Sequence, residues 1–133
     1  MFRAFTIALP IVDRQRSYAF YQETLGLEPV GAPDADGVPE PLQFRLDANT
    51  MLMLVPSGGF GWVLGGRELA APGTSEMLLS LTLDSAEEVV AAAERMRGAG
   101  GEIVLAPAQQ EWGFTGVVTD PDGHAWQLIN IHH

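Results

Sequence analysis

FTIALPIVD at residues 5–13 is an apolar, alternating run that ends on a helix-capping aspartate and leads into an amphipathic stretch; LLSLTLD at residues 78–84 repeats that layout. Each helix-like stretch stops at glycine, Gly26 or Gly98, and the chain then re-enters an extended run, GLEPV at 26–30 and GGEIV at 100–104. A hairpin follows in both halves. Its turn is Asp47-Ala48-Asn49-Thr50 in the first and Asp120-Pro121-Asp122-Gly123 in the second, and the strands leaving these turns match in length and apolarity. One supersecondary unit is thus written twice. Each copy is too small to hide its apolar face alone, so the pair implies a pseudo-symmetric sheet closed around a shared concave surface, where function is to be sought.

Working outward, the pattern predicts a helix over 13–25, capped by Asp13, with Tyr18, Phe20, Tyr21 and Leu25 on its inner side and Gly26 as its stop. A second helix is predicted from the capping box Ser85-Ala86-Glu87-Glu88 to Gly98, burying Val89, Ala92, Ala93 and Met96. Strands are expected near 3–11, 42–47, 51–55, 77–83, 102–106, 113–119 and 124–131, with a weaker one near 28–31. Residues 32–41, with three prolines and three acids, read as a loop with little order of its own. The segment 57–76 interleaves glycines with Phe60, Trp62, Val63 and Leu64. So many large apolar side chains are unusual in a linker; the segment either folds back over the sheet as a lid or plugs one open end of the core.

At 133 residues the chain reads as one domain, with module one at about 1–56, a connecting loop at about 57–76 and module two at about 77–133. No stretch approaches the roughly 20 apolar residues that cross a bilayer, and the start lacks a signal-peptide pattern, so a soluble cytoplasmic protein with no membrane partner is expected. Without cysteine there is no disulfide, thiolate nucleophile or cysteine metal site, and since all seven basic residues are arginine, Schiff-base and P-loop lysines are excluded too. The net charge is −10, and it is uneven: residues 1–66 carry four Arg against seven acids, or −3, and residues 67–133 three Arg against ten acids, or −7. Such a surface repels phosphate backbones, which argues against a nucleic-acid partner.

Val12-Asp13, Ser17, Phe20-Tyr21 and Leu25-Gly26-Leu27, together with VTDPDGHAWQL at 118–128, resemble the vicinal oxygen chelate superfamily, which includes glyoxalase I, extradiol dioxygenases, and fosfomycin- and bleomycin-resistance proteins. The resemblance covers nearly the whole chain. It implies an α+β fold in which two βαβββ modules, in pseudo-two-fold arrangement, form an incomplete barrel around a ligand cleft, usually with a paired subunit. In metal-using members each module supplies two ligands, from its first and last strands. Carried over, those positions are Thr6, Met53, Leu78 and Gln127. Only Gln127 is a plausible ligand; a hydroxyl, a thioether and an isobutyl group do not form the shell that a divalent ion needs. No metal and no cofactor are therefore expected.

The histidines do not restore a site. His124 follows the closing turn on the face opposite Gln127, and His132 and His133, the last two residues, would have to fold back. What remains is a mostly apolar face with hydroxyl and amide handles, Thr6, Met53, Leu78, Ser80 and Gln127, which suits a small-molecule pocket or, alternatively, a closed core. Trp112 and Phe114, two apart, are expected on one side of a strand and, with Phe60 and Trp62, to wall a planar or cationic ligand or else to fill the core or a dimer interface. Glu76 and Glu111 form a conceivable carboxylate pair, but nothing in the spacing demands it, so the catalytic residues are unknown. The expected function is metal-free binding of a small aromatic or cationic molecule by a homodimer. The alternatives are a metal-dependent lyase or dioxygenase of the same superfamily and a non-catalytic structural or regulatory dimer.

Overall fold

The computed structural model describes residues 1–131; His132 and His133 lie outside the described residues. By its contacts the chain forms two compact units, one of residues 1–22 and 26–69, the other of 23–25 with the chain from Ala70 on. Each unit holds a four-stranded mixed sheet, and the two strand orders are the same.

The first unit runs β1 (Phe5–Ile11), α1 (Arg14–Leu25), β2 (Glu28–Pro29), β3 (Leu42–Asp47), β4 (Thr50–Pro56) and α2 (Ser57–Val63). Its sheet has the order β1-β4-β3-β2, with β1 parallel to β4 and the other pairs antiparallel. Asp13 caps α1 by accepting from the Arg16 N–H at 3.1 Å, and Gly26 closes it in the left-handed conformation, φ 62°. The buried stripe is Ser17, Phe20, Tyr21 and Thr24, the i, i+3, i+4, i+7 series. Tyr18 and Leu25, expected on the inner side, are half-buried, so two small polar residues sit where the core was expected to take larger ones. Tyr21 lies 5.8 Å and Tyr18 6.1 Å, centroid to centroid, from the Phe44 ring, so aromatics dominate this core.

Two expectations change here. Residues 57–63, read as loop, are helical, although three of the seven are glycine and no side chain caps the start. What anchors the turn is the Ser57 hydroxyl, which donates to the Ile11 carbonyl at 3.1 Å. The 32–41 loop is also ordered, because Arg14 pairs with Asp36 and Glu40 and donates to the Val38 and Pro39 carbonyls, while Val38 is buried.

The second unit contains β5 (Leu79–Thr82), α3 (Ala86–Gly98), β6 (Ile103–Gln110), β7 (Gly113–Thr119) and β8 (Ala125–Asn130), in the sheet order β5-β8-β7-β6. Helix α3 buries the expected Val89, Ala92, Ala93 and Met96. The first half of its capping box is present, Ser85 Oγ accepting from the Glu88 N–H, while Glu88 Oε2 reaches one residue further back to accept from the Asp84 N–H, both at 3.1 Å. Just beyond α3 the chain passes so close to β7 that a Cβ on Gly101 would stand 2.1 Å from the Thr119 carbonyl oxygen. Strand β6 continues to Gln110, past the expected end at 106; it is an edge strand whose register shifts between Leu105 and Ala108, which accommodates Pro107. The closing turn is held by buried Asp120, whose Oδ1 accepts from the Asp122 and His124 N–H groups, each at 2.9 Å. Among the described residues no helix is long and apolar enough to cross a membrane.

Candidate functional site

Strand register fixes which side chains share a face. In the first sheet, Ile7 pairs with Leu52 and Leu52 with Phe44, and these buried or half-buried residues make the α1 side. The next rung, Ala8–Met53–Gln43, turns to the other side, which α1 leaves uncovered; two residues back, Thr6–Met51–Arg45 does the same. Met53 is half-buried, Thr6 is exposed, and the two stand on adjacent same-face rungs. Arg45 makes no ion pair among the described residues.

The second sheet repeats this register. Leu79–Trp126–Val118 faces α3, with Trp126 and Val118 buried, and Ser80–Gln127–Val117 faces away. Here the register brings two of the expected site residues into bonding contact: Gln127 Nε2 donates to Ser80 Oγ at 2.9 Å. Leu78 precedes them on the same parity and is 50% exposed. Along this face the burial rises from exposed Ser80 and Thr82 to buried Thr115 and Ile129.

Phe114 is not part of this surface. It pairs with Asn130 and shares the parity of Trp126 and Leu128, and with Ala86, Glu87, Val90 and Ala91 it borders a shallow groove of about 370 Å³ beside α3. Trp112 belongs to the β6–β7 turn rather than to a strand and is 55% exposed, so the two-residue spacing does not align it with Phe114. Phe60 and Trp62 both lie on α2; Phe60 is half-buried and Trp62 is 83% exposed.

The four positions carried over from the resembled superfamily thus have like parity, Thr6, Met53 and Gln127 on strands and Leu78 just before β5, but their chemistry does not suit a divalent ion. The Gln127 amide already bonds Ser80, Thr6 offers a neutral hydroxyl, Met53 a thioether and Leu78 no donor at all. Among the described residues no group of three or more His, Cys, Asp or Glu side chains could hold an ion. The carboxyls whose pKa is lowered lie away from this face. Asp47 is lowered by the Asn49 N–H and the Thr50 hydroxyl, and Glu94 by its hydrogen bonds from Arg97.

Solved structures share this architecture. A glyoxalase-related enzyme from Fulvimarina pelagi is 27% identical, with a TM-score of 0.82 over 98% of this chain and 88% of that one. A glyoxalase/bleomycin resistance protein/dioxygenase family enzyme from Burkholderia phytofirmans PsJN is 15% identical, with a TM-score of 0.74 over 96% and 97% of the two chains. TnmS3, an antibiotic binding protein from Streptomyces sp. CB03234, is 24% identical, with a TM-score of 0.66 over 99% and 98%. No curated protein matches the sequence significantly. The family profile matches residues 3–128, nearly the whole chain, and with the doubled βαβββ topology this makes the chain a member of the Glyoxalase/Bleomycin resistance protein/Dioxygenase superfamily.

Proposed function

We propose that this chain binds a small aromatic or cationic molecule without a metal ion and does not transform it. The observation that carries this reading is the donor set: at the superfamily's metal positions stand Thr6, Met53, Leu78 and Gln127, and the one amide among them is engaged by Ser80. Around that amide the uncovered face offers Leu78, Val117, Ala125 and Ile129, an apolar platform with few polar handles, as small-molecule sites have. The acidic surface favours a cation over an anion, and a structural neighbour described as an antibiotic binding protein gives a precedent for binding on this fold. Exposed Trp62 on α2 supplies a further aromatic surface, for the ligand or for a second copy of the chain.

Thermal unfolding against a panel of aromatic, cationic and antibiotic compounds tests the reading. A true ligand at a hundred times its Kd adds about 2.7 kcal/mol of stability, a shift of several degrees in Tm. Silence across the panel would overturn the proposal.

One observation favours a second reading, metal-dependent lyase or dioxygenase chemistry: the neighbour at 27% identity is described as an enzyme. Elemental analysis after dialysis separates the two, because stoichiometric nickel, zinc, iron or manganese would require donors other than the four named above.

A further inference from the structure

The Ser80–Gln127 contact says more about the ligand than that it is small. Both groups are neutral, they sit on directly paired positions of β5 and β8, and neither side chain has another hydrogen-bond partner among the described residues. With Gln127 Nε2 donating one N–H to Ser80 Oγ, the Ser80 hydroxyl proton, the second amide N–H and the Gln127 carbonyl oxygen are left to bond elsewhere. Turning the amide over exchanges the roles but not the outcome, since Ser80 would then donate to the carbonyl, leaving a hydroxyl oxygen as acceptor and an NH2 as donor. Either way the dyad presents an acceptor with at least one donor beside it. The groups around it on the same face, Leu78, Thr82, Val117, Ala125 and Ile129, carry no charge.

We infer that this dyad recognises an uncharged amide edge, an N–H beside a C=O as in a lactam, imide or carboxamide, carried on a flat apolar ring system that rests on the neighbouring aliphatic side chains. The inference rests on the proposed binding function and narrows it from aromatic or cationic ligands to neutral aromatic amides. A cation would find no compensating charge on this face, and an N-alkylated amide would leave the acceptor unpaired, which sites built to hydrogen-bond penalise.

Three probes sharing one bicyclic frame test it: quinolin-2(1H)-one, its N-methyl derivative, and the N-methylquinolinium cation, with affinities from calorimetry. The lactam is expected to bind at least about tenfold more tightly than either of the others. Ser80→Ala and Gln127→Leu should each weaken the lactam, and Gln127→Leu, which leaves a single hydroxyl at the site, should erase its advantage over the N-methyl compound. In the native protein, the lactam should shift the Gln127 side-chain NH2 resonances more than the N-methyl compound does, a readout that needs no variant. Equal binding of the two quinolinones would overturn the dyad and leave the binding function standing, as would tighter binding of the cation. No binding by any of the three would also overturn the dyad, and the broad panel would then judge the binding function by itself.

Discussion

The same rungs of the two sheets have been filled in opposite ways. On the helix-covered side, the first sheet sets Ile7, Leu52 and Phe44 in a row, and the second sets Leu79, Trp126 and Val118. The large aromatic has moved from the third strand of its module to the fourth, while the row as a whole keeps one ring and two aliphatic side chains. On the uncovered side, the first sheet sets Ala8, Met53 and Gln43 in a row, and the second sets Ser80, Gln127 and Val117. There too an amide has changed strands, but only in the second sheet does it meet a hydroxyl. Packing tolerates such exchanges when total volume is kept, whereas a hydrogen bond needs both partners in place. The covered faces therefore preserve architecture, and the uncovered faces are where the halves have separate chemistry.

The covered faces should break first. Phe44 and Trp126 are both buried, so Phe44→Ala and Trp126→Ala are each expected to cost about 4 kcal/mol, measured by urea unfolding. Near-equal losses would show that the exchanged rings do equal work in their two cores; a loss under 1 kcal/mol at either would mean that its row is not a shared packing unit. Next come the glycines after the helices. Gly101→Ala drives a Cβ into the Thr119 carbonyl and should cost about 3 kcal/mol, whereas Gly26→Ala meets nothing within 4 Å and should cost about 1 kcal/mol, from its φ of 62° alone.

The contrast between covered and uncovered faces also explains what could be read from residues alone. Helix α3 was legible to the residue in its buried stripe because Ser85, Glu88 and the glycines after it punctuate an alanine-rich run of strong helix formers. Strands β3 and β7 were legible because sharp turns bound them. Helix α2 was not, since glycine at 58, 59 and 61 argues against a helix and the anchoring bond from Ser57 to Ile11 spans 46 residues. Trp112 and Phe114 defeated the alternation rule because β6 runs on to Gln110 and puts Trp112 in the turn. The Ser80–Gln127 bond lay half in view. Both residues were candidates by parity, but their direct pairing depends on the β5–β8 register, which no local pattern carries.

The uncovered faces should give little in stability and much in binding. Ser80→Ala removes one exposed hydrogen bond and should change unfolding free energy by less than about 0.5 kcal/mol, as should Met53→Leu on the first sheet. If Ser80→Ala instead cost as much as a core substitution, the dyad would be part of the scaffold and not a recognition element.

The two hairpin turns extend the comparison to the loops, and the pH dependence at Asp47 is its finest test. Asp120 is buried and accepts two backbone N–H groups, so Asp120→Ala should cost about 2 kcal/mol. Asp47, its counterpart, is exposed and accepts the Asn49 N–H at 2.8 Å. That bond, with the Thr50 hydroxyl, holds the Asp47 carboxyl below its ordinary value of 3.8. A carboxyl lowered by folding stabilises the fold at pH values above that ordinary value, and the contribution disappears as pH falls through the lowered folded value. Asp47→Asn should therefore cost a small, measurable amount at pH 7 that shrinks as the solution is acidified below the carboxylate range. A difference that stayed constant with pH would show that the turn needs only an acceptor at position 47, and that the charge on Asp47 does nothing for the first hairpin.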